Sequence, residues 1–169
     1  QFKVRLVPAD ARPGEHALLM VDATVDAGWH VYANQNNEQV INLQAEPKGT
    51  GFTKAGDLME TKFSVHYDEI LKTEIIWFEG PFHFGVPIKI EDGATEIKGE
   101  YVINYQACTR NTCDIPMEVP VAFSFPVGPG AARPEFAEPA KSLAPTDPTF
   151  YGVVQSETGD APVSYTHLA

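Results

Sequence analysis

The chain reads Tyr101-Val-Ile-Asn-Tyr-Gln-Ala-Cys108, then Thr109-Arg-Asn-Thr112, then Cys113-Asp-Ile-Pro-Met-Glu-Val-Pro-Val-Ala-Phe-Ser-Phe125. Aromatic and β-branched residues fill the first of these segments, and apolar residues recur at alternate positions in the last. The polar four-residue segment between them has the length and composition of a hairpin loop. This stretch therefore predicts two antiparallel strands joined by a short loop.

Cys108 and Cys113 are the only two cysteines in the chain, and they flank this loop. If the two strands pair, the cysteines face each other across the ladder, where facing Cα atoms lie about 4.5 Å apart. Disulfides accept Cα separations of roughly 4.4 to 6.8 Å. The spacing therefore permits a disulfide bridge at the end of the hairpin.

A bridge across so short a loop removes little entropy from the unfolded chain, on the order of 2 kcal/mol. A bridge at a hairpin end can also be reached by another protein, and strained or exposed bridges are those that undergo thiol-disulfide exchange. The spacing alone leaves two interpretations open. The pair is either redox-active or a small structural bridge that holds the hairpin.

Alternating apolar residues predict strands along most of the chain before residue 126. The predicted strands span residues 4–7, 15–25, 29–33, 40–45, 73–78, 82–90, 96–108 and 117–125, whereas 47–51 is expected to be a loop and 58–65 to be irregular. Short strands separated by Gly, Pro and Asn turns indicate an all-β, immunoglobulin-like β-sandwich. The two cysteines are too close in sequence to bridge two sheets, so the likeness to immunoglobulin domains is one of architecture.

The composition changes after Phe125, where six prolines fall between residues 126 and 148. Such a segment cannot pair into a sheet, which predicts a folded unit over 1–127 and an extended Pro-rich C-terminal segment over 128–169. That segment is interpreted as a linker or as a strap lying over the domain. The chain opens within a strand pattern, as expected of a mature or trimmed protein, and residues 163–169 continue no recognisable pattern.

The net charge of −11 disfavours nucleic acid and anionic membrane surfaces as partners, because both require a clustered basic surface. Hydrophobic residues make up 43% of the chain, which is enough for a core, but no run of apolar residues is long enough to span a membrane. No phosphate-binding loop or serine-nucleophile motif appears either. We therefore expect neither a nucleic-acid-binding protein nor a member of these enzyme classes.

A metal site is the least favoured hypothesis. Cys108, Cys113, Met117 and a histidine are ligands that suit Cu(I), but no histidine lies near the cysteine pair in sequence. His30 and His83 lie within predicted strands and are interpreted as outward-facing or hydrogen-bonded residues rather than ligands. We expect no metal and no cofactor.

Several motifs, taken in order, resemble the N-terminal extracytoplasmic domain of the thiol:disulfide interchange protein DsbD family. The two that carry the cysteines are Tyr105-Gln-Ala-Cys108 and Cys113-Asp-Ile-Pro116. The others are Gly28-Trp-His-Val-Tyr-Ala33, His66-Tyr-Asp-Glu69 before Ile75-Ile-Trp-Phe78, and Val119-Pro-Val-Ala-Phe123. The resemblance covers roughly residues 1 to 127.

The resemblance implies a protein-disulfide reductase domain in which Cys108 and Cys113 are the redox pair. It implies an active-site cap that modulates the thiol pKa, formed by Tyr67, Asp68, Glu69, Ile70 and Leu71. The family passes electrons from a thioredoxin-like donor to partner disulfides, including those of cytochrome c biogenesis, in the bacterial periplasm. The implied partners are thus thioredoxin-fold proteins, and the full-length protein is expected to be membrane-attached.

A second function remains open, namely a non-catalytic β-sandwich binding module with a structural hairpin disulfide. Sandwich domains recognise partners through loops and edge strands without any redox chemistry. The reduction potential separates the two functions, because structural disulfides have potentials below about −300 mV.

Overall fold

The computed structural model describes residues 1–34, 40–61, 64–69, 71–141 and 143. They form twelve strands and one 3₁₀ turn at Pro134–Phe136. The strands are β1 (Phe2–Val7), β2 (His16–Thr24), β3 (His30–Tyr32), β4 (Gln44–Thr50), β5 (Phe52–Lys54), β6 (Met59–Glu60), β7 (Ser64–Asp68), β8 (Thr73–Phe78), β9 (Pro81–Ile90), β10 (Glu96–Tyr105), β11 (Ala107–Cys108) and β12 (Met117–Pro126). In these ranges no helix has the length and apolar character that crossing a membrane requires.

The strands build three antiparallel sheets. The first has the order β1-β2-β9-β5, and β6 also pairs with β9; the second is β12-β10-β4, and the third is β11-β3-β8-β7. Alternate side chains of the first two sheets point into one core, as the period of two along each strand requires. The predicted all-β, immunoglobulin-like β-sandwich is confirmed.

Tyr101 of β10 links the second sheet to the first at the centre of the core. It is fully buried, and its hydroxyl donates a hydrogen bond of 2.9 Å to the backbone carbonyl of Leu19 in β2. Its ring also meets Phe84 edge-on, with centroids 6.3 Å apart. A buried phenol must find such an acceptor, and burial raises its pKa far above the ordinary value, so the hydroxyl remains a donor.

The chain passes from one sheet to another just before the cysteines. β10 pairs with β12 up to Tyr105 and with β4 up to Asn104. The next strand, β11, pairs instead with β3 of the third sheet. Gln106 lies between the two strands. Cys108 therefore belongs to the sheet formed with β3, β8 and β7, and the hairpin end lies where the second and third sheets meet.

Three expectations from sequence were wrong, and the first is the strand expected over 40–45, of which only Gln44 and Ala45 lie in a strand. The segment expected to be a loop at 47–51 is largely strand, because β4 runs through Pro47 to Thr50 and pairs with β10. Proline is tolerated there because β4 is an edge strand. The stretch 58–65, expected to be irregular, contains β6 and the start of β7. Both segments lack strong alternation, and β4 and β6 are held by pairing with β10 and β9, which are distant in sequence.

Gly99 and Gly49 face each other where β10 and β4 pair. A Cβ atom at Gly99 would lie 2.6 Å from the Cα of Gly49 and would overlap the carbonyl oxygen of Lys48. We expect Gly99→Ala to lower the free energy of unfolding by about 2 kcal/mol, since backbone atoms cannot move aside as a side chain does. Denaturant titration measures the change, with Ser124→Ala on the exposed side of β12 as a control expected to stay within about 0.5 kcal/mol. Equal losses in the two variants would contradict the close approach.

The described part of the Pro-rich segment, residues 128–141 and 143, lies on the sandwich as a strap. The Gly128 amide donates to the carbonyl of Ala11 at 2.9 Å, and Leu143 packs in a cluster with Val7, Leu18 and Met20. Residues 142 and 144–169 lie outside the described residues. The division at residue 127 remains a prediction.

Candidate functional site

The predicted disulfide between Cys108 and Cys113 is present. The S–S distance is 2.01 Å and the two Cα atoms are 4.0 Å apart. The cysteines face each other as an isolated antiparallel bridge, because the returning strand β12 begins only at Met117. The sulfurs therefore lie in the loop region beyond the regular hairpin rather than within its ladder.

Local hydrogen bonds hold the cysteine loop in shape. The Thr109 amide donates to the carbonyl of Thr112 at 2.7 Å, and the Asp114 amide donates to the carbonyl of Ala107 at 2.9 Å. The Thr109 hydroxyl accepts from the amides of Asn111 and Thr112, each at 3.2 Å. Threonine side chains stabilise tight turns in this way. The loop therefore presents the disulfide in a defined geometry.

The two sulfur-bearing residues differ in exposure. Cys108 is 1% exposed, whereas Cys113 is exposed to solvent. Ile115 and Met117, which follow Cys113, are 76% and 41% exposed. Cys113 is therefore the more accessible residue of the pair, and it lies near two exposed apolar side chains.

A row of rings extends from the disulfide across the third sheet. His30 is the residue opposite Cys108 in the pairing of β3 with β11. The His30 ring stacks on Trp77 of β8 at a centroid distance of 4.1 Å, and Trp77 stacks on His66 of β7 at 3.6 Å. We call His30, Trp77 and His66 the ring row. Sequence reasoning treated His30 as an ordinary strand residue, since its proximity to Trp77 and His66 depends on strand register.

Both histidines of the ring row are held in the neutral form. Burial lowers the pKa of His30, an effect that Glu79 opposes and the charge of His66 reinforces. Burial likewise lowers the pKa of His66. The Nε2 atom of His30 lies 3.2 Å from the hydroxyl of Tyr32, whose pKa is raised by burial and by the negative charge of Asp68. Near neutral pH the imidazoles are therefore uncharged and the Tyr32 hydroxyl keeps its proton.

The predicted cap residues lie on and after β7, the outer strand of the third sheet. Tyr67 is 64% exposed, Glu69 is exposed, and an Asp68 carboxylate oxygen accepts from the Leu71 amide at 2.9 Å. Ile70 lies outside the described residues. Two strands, β3 and β8, separate β7 from the cysteine-bearing β11. The ring row spans that separation, whereas the role of these residues as a cap remains a prediction.

The other histidine singled out from sequence lies away from the disulfide. His83 of β9 is buried, and its Nδ1 atom lies 2.6 Å from a carboxylate oxygen of Asp22. This matches the interpretation of His83 as a hydrogen-bonded strand residue. Across the described ranges, no group of three or more His, Cys, Asp or Glu side chains has the arrangement of a metal site.

Comparisons with protein-family models and with curated proteins find no match. Among solved structures, the chain is similar to the N-terminal domain of Neisseria meningitidis DsbD in the reduced form, with 14% identity and a TM-score of 0.45 over 75% of this chain and 90% of that one. It is also similar to the N-terminal periplasmic domain of ScsB from Proteus mirabilis, with 12% identity and a TM-score of 0.45. That match covers 92% of this chain and 51% of the ScsB chain. The first of these structures is a domain of the family whose motifs the sequence resembles.

Proposed function

We propose that this chain is a thiol-disulfide exchange domain that acts outside the cytoplasm. The observation that carries the proposal is the Cys108–Cys113 disulfide, in which one cysteine is exposed and the other is buried. The family resemblance of the surrounding motifs supports the same function. In this proposal the domain accepts electrons from a thioredoxin-like donor and passes them to partner disulfides.

The exposure of the two cysteines suggests an order of events. A donor thiolate attacks Sγ of Cys113, forming an intermolecular disulfide, and the Cys108–Cys113 bond breaks with its electron pair moving to Sγ of Cys108. The second thiolate of the donor then attacks the donor's own sulfur in that intermolecular bond and releases Cys113 as a thiolate. The donor dithiol is thereby oxidised to a disulfide, and both cysteines of this chain take up protons as thiols. Reversal of the same steps reduces a partner disulfide.

The position of the bridge supports exchange better than stabilisation. The two cysteines are separated by only 5 positions in sequence, so the bridge restricts the unfolded chain little. The main sheets are held instead by a continuous core that includes Tyr101, Phe84 and Phe123. We therefore expect the sandwich to remain folded when this disulfide opens.

The remaining family features belong to the same proposal. Tyr67, Asp68, Glu69, Ile70 and Leu71 would form the pKa-modulating cap, which a thioredoxin-fold partner would displace. The periplasm of a bacterium is the proposed compartment, and membrane attachment of the full-length protein and a link to cytochrome c biogenesis follow from the same resemblance.

The second candidate is a non-catalytic binding module. The exposed apolar side chains of Ile115 and Met117 favour it, because an uncovered apolar patch often marks an interaction site. In this function the disulfide would only fix the shape of the binding loop.

Equilibration of the purified protein with a glutathione redox buffer distinguishes the two candidates. We expect a reduction potential between about −100 and −250 mV, the range of exchange proteins. A potential below about −300 mV would identify a structural bridge and favour the binding module. The ratio of disulfide to dithiol protein is measured by alkylation and mass spectrometry, and a Cys108→Ala, Cys113→Ala double variant corrects for background.

A further inference from the structure

We propose that His30 sets the pH dependence of disulfide opening by stabilising the sulfur of Cys108 as it leaves as a thiolate. Trp77 and His66 act as positioning residues that hold the imidazole in place. The inference deepens the proposed function and rests on it, since it assigns the residue that governs the departing sulfur.

The strand register places His30 directly opposite Cys108, which is buried. Residues that face each other across an antiparallel ladder have Cβ atoms about 4.5–5.5 Å apart on the same face of the sheet, and His30 faces Cys108 in this way. One face of the His30 ring is covered by Trp77, with an interplanar angle of 19°. Trp77 belongs to β8, on the other side of β3 from β11, so its stacking on His30 comes from the side away from Cys108.

The ring row limits how the imidazole can move. His66 stacks on Trp77 with an interplanar angle of 9°, so the indole is clamped between two imidazoles. The Tyr32 hydroxyl adds a hydrogen bond at Nε2 of His30. The orientation of His30 is therefore set by three neighbouring strands before any thiol arrives.

Each element packed against His30 contributes groups that affect its charge. Tyr32 lies on β3, the strand of His30, and Cys108 lies on β11. His66 lies on β7 and Glu79 follows β8. Asp68 acts indirectly, through its effect on the pKa of Tyr32. Burial lowers the pKa of His30, Glu79 raises it and His66 lowers it. While the disulfide is closed no negative charge stands on the sulfur, and His30 is neutral near pH 7.

Opening the disulfide changes this balance. When a thiolate attacks Cys113, the electron pair of the broken bond places a negative charge on Sγ of Cys108, opposite His30. That negative charge favours protonation of the His30 imidazole, and solvent supplies the proton. The Cys108 thiol and the His30 imidazole therefore titrate as a coupled pair. At pH values where His30 is already protonated, the imidazolium lowers the pKa of the departing thiol, and a less basic thiolate leaves faster.

The test measures how fast dithiothreitol opens the disulfide between pH 5 and pH 8. The rate constant per attacking thiolate is expected to rise about tenfold as the pH falls in the wild-type protein. His30→Phe keeps a ring that can stack on Trp77 but cannot carry a proton, and its profile is expected to be flat. The control is His16→Phe in β2 of the first sheet, which removes another histidine whose pKa burial lowers and should leave the profile unchanged.

A second measurement needs no variant. In nuclear magnetic resonance titrations, the pKa of His30 is expected to be higher in the dithiol protein than in the disulfide protein. A flat wild-type profile, a tenfold rise retained in His30→Phe, or equal His30 pKa values in the two redox states would overturn the inference. Dithiothreitol needs no docking surface, so this result is independent of whether a thioredoxin-fold partner reacts or where the reduction potential lies.

Discussion

Arg133→Ala is expected to lower the free energy of unfolding by about 3 kcal/mol. Arg133 in the strap donates from Nε to Oε2 of Glu15 at 2.8 Å and from Nη2 to Oε1 at 2.9 Å. Glu15 is fully buried, and the backbone amides of Arg12 and Arg133 each donate to it at 2.8 Å. Removing the guanidinium leaves the buried Glu15 carboxylate without its counter-charge. Breaking a buried ion pair by removing one partner is strongly destabilising, because the remaining charge stays uncompensated. Denaturant titration at neutral pH measures the loss.

The difference between wild type and Arg133→Ala should shrink in acid. Burial raises the pKa of Glu15, but hydrogen bonds from Arg133 and from the amide of Arg12 outweigh it and hold the value at about 2, against an ordinary value of 4.5. The unfolded chain therefore binds the proton first as the pH falls. The stabilisation is fully present above pH 4.5 and is lost progressively towards pH 2.

Lys98→Ala is the matched control for this pair. Lys98 lies 3.7 Å from Glu96, and both side chains are more than half exposed. Such surface pairs contribute little, and we expect a change below about 0.5 kcal/mol. If Arg133→Ala were as mild as Lys98→Ala, the strap would not be an energetic part of the sandwich.

The two single-cysteine variants are expected to differ about a hundredfold in the rate at which they are trapped by a thioredoxin-fold protein. Cys108→Ala leaves the exposed thiol of Cys113, whereas Cys113→Ala leaves the buried thiol of Cys108. Exchange rates depend on access to the attacking sulfur, and buried cysteines are inert. The partner carries one active-site cysteine activated as a mixed disulfide, and the adduct is followed on non-reducing gels.

Denaturation supplies the control for this asymmetry. In urea both variants should form the adduct at similar rates, because the burial of Cys108 is then lost. A faster reaction of Cys113→Ala in the folded state would reverse the proposed order of attack. If neither folded variant formed an adduct, the exchange proposal would fail and the binding module would remain.

Local patterns were sufficient for much of the fold. The strand predicted over 73–78 has the bounds of β8, and the alternation in 15–25 marks β2, because the period of two in a half-buried strand is visible within a few residues. The pairing of β4 with β10 was not visible, since Pro47 and Gly49 break the local signal and are accommodated only by the opposite strand. Prediction of the disulfide succeeded because the loop between the cysteines is short enough to impose their distance.

The sequence by itself determined the all-β class, the hairpin end that carries Cys108 and Cys113, and the Pro-rich composition of the C-terminal segment. Each of these follows from spacing within about ten residues. Only the tertiary structure decided that Cys108 is buried while Cys113 is exposed, that the ring row lies beside Cys108, and that Arg133 binds Glu15 across 118 positions of the chain. The physical reason is that burial, strand register and long-range ion pairing depend on which distant segments pack together, and no local pattern specifies that choice.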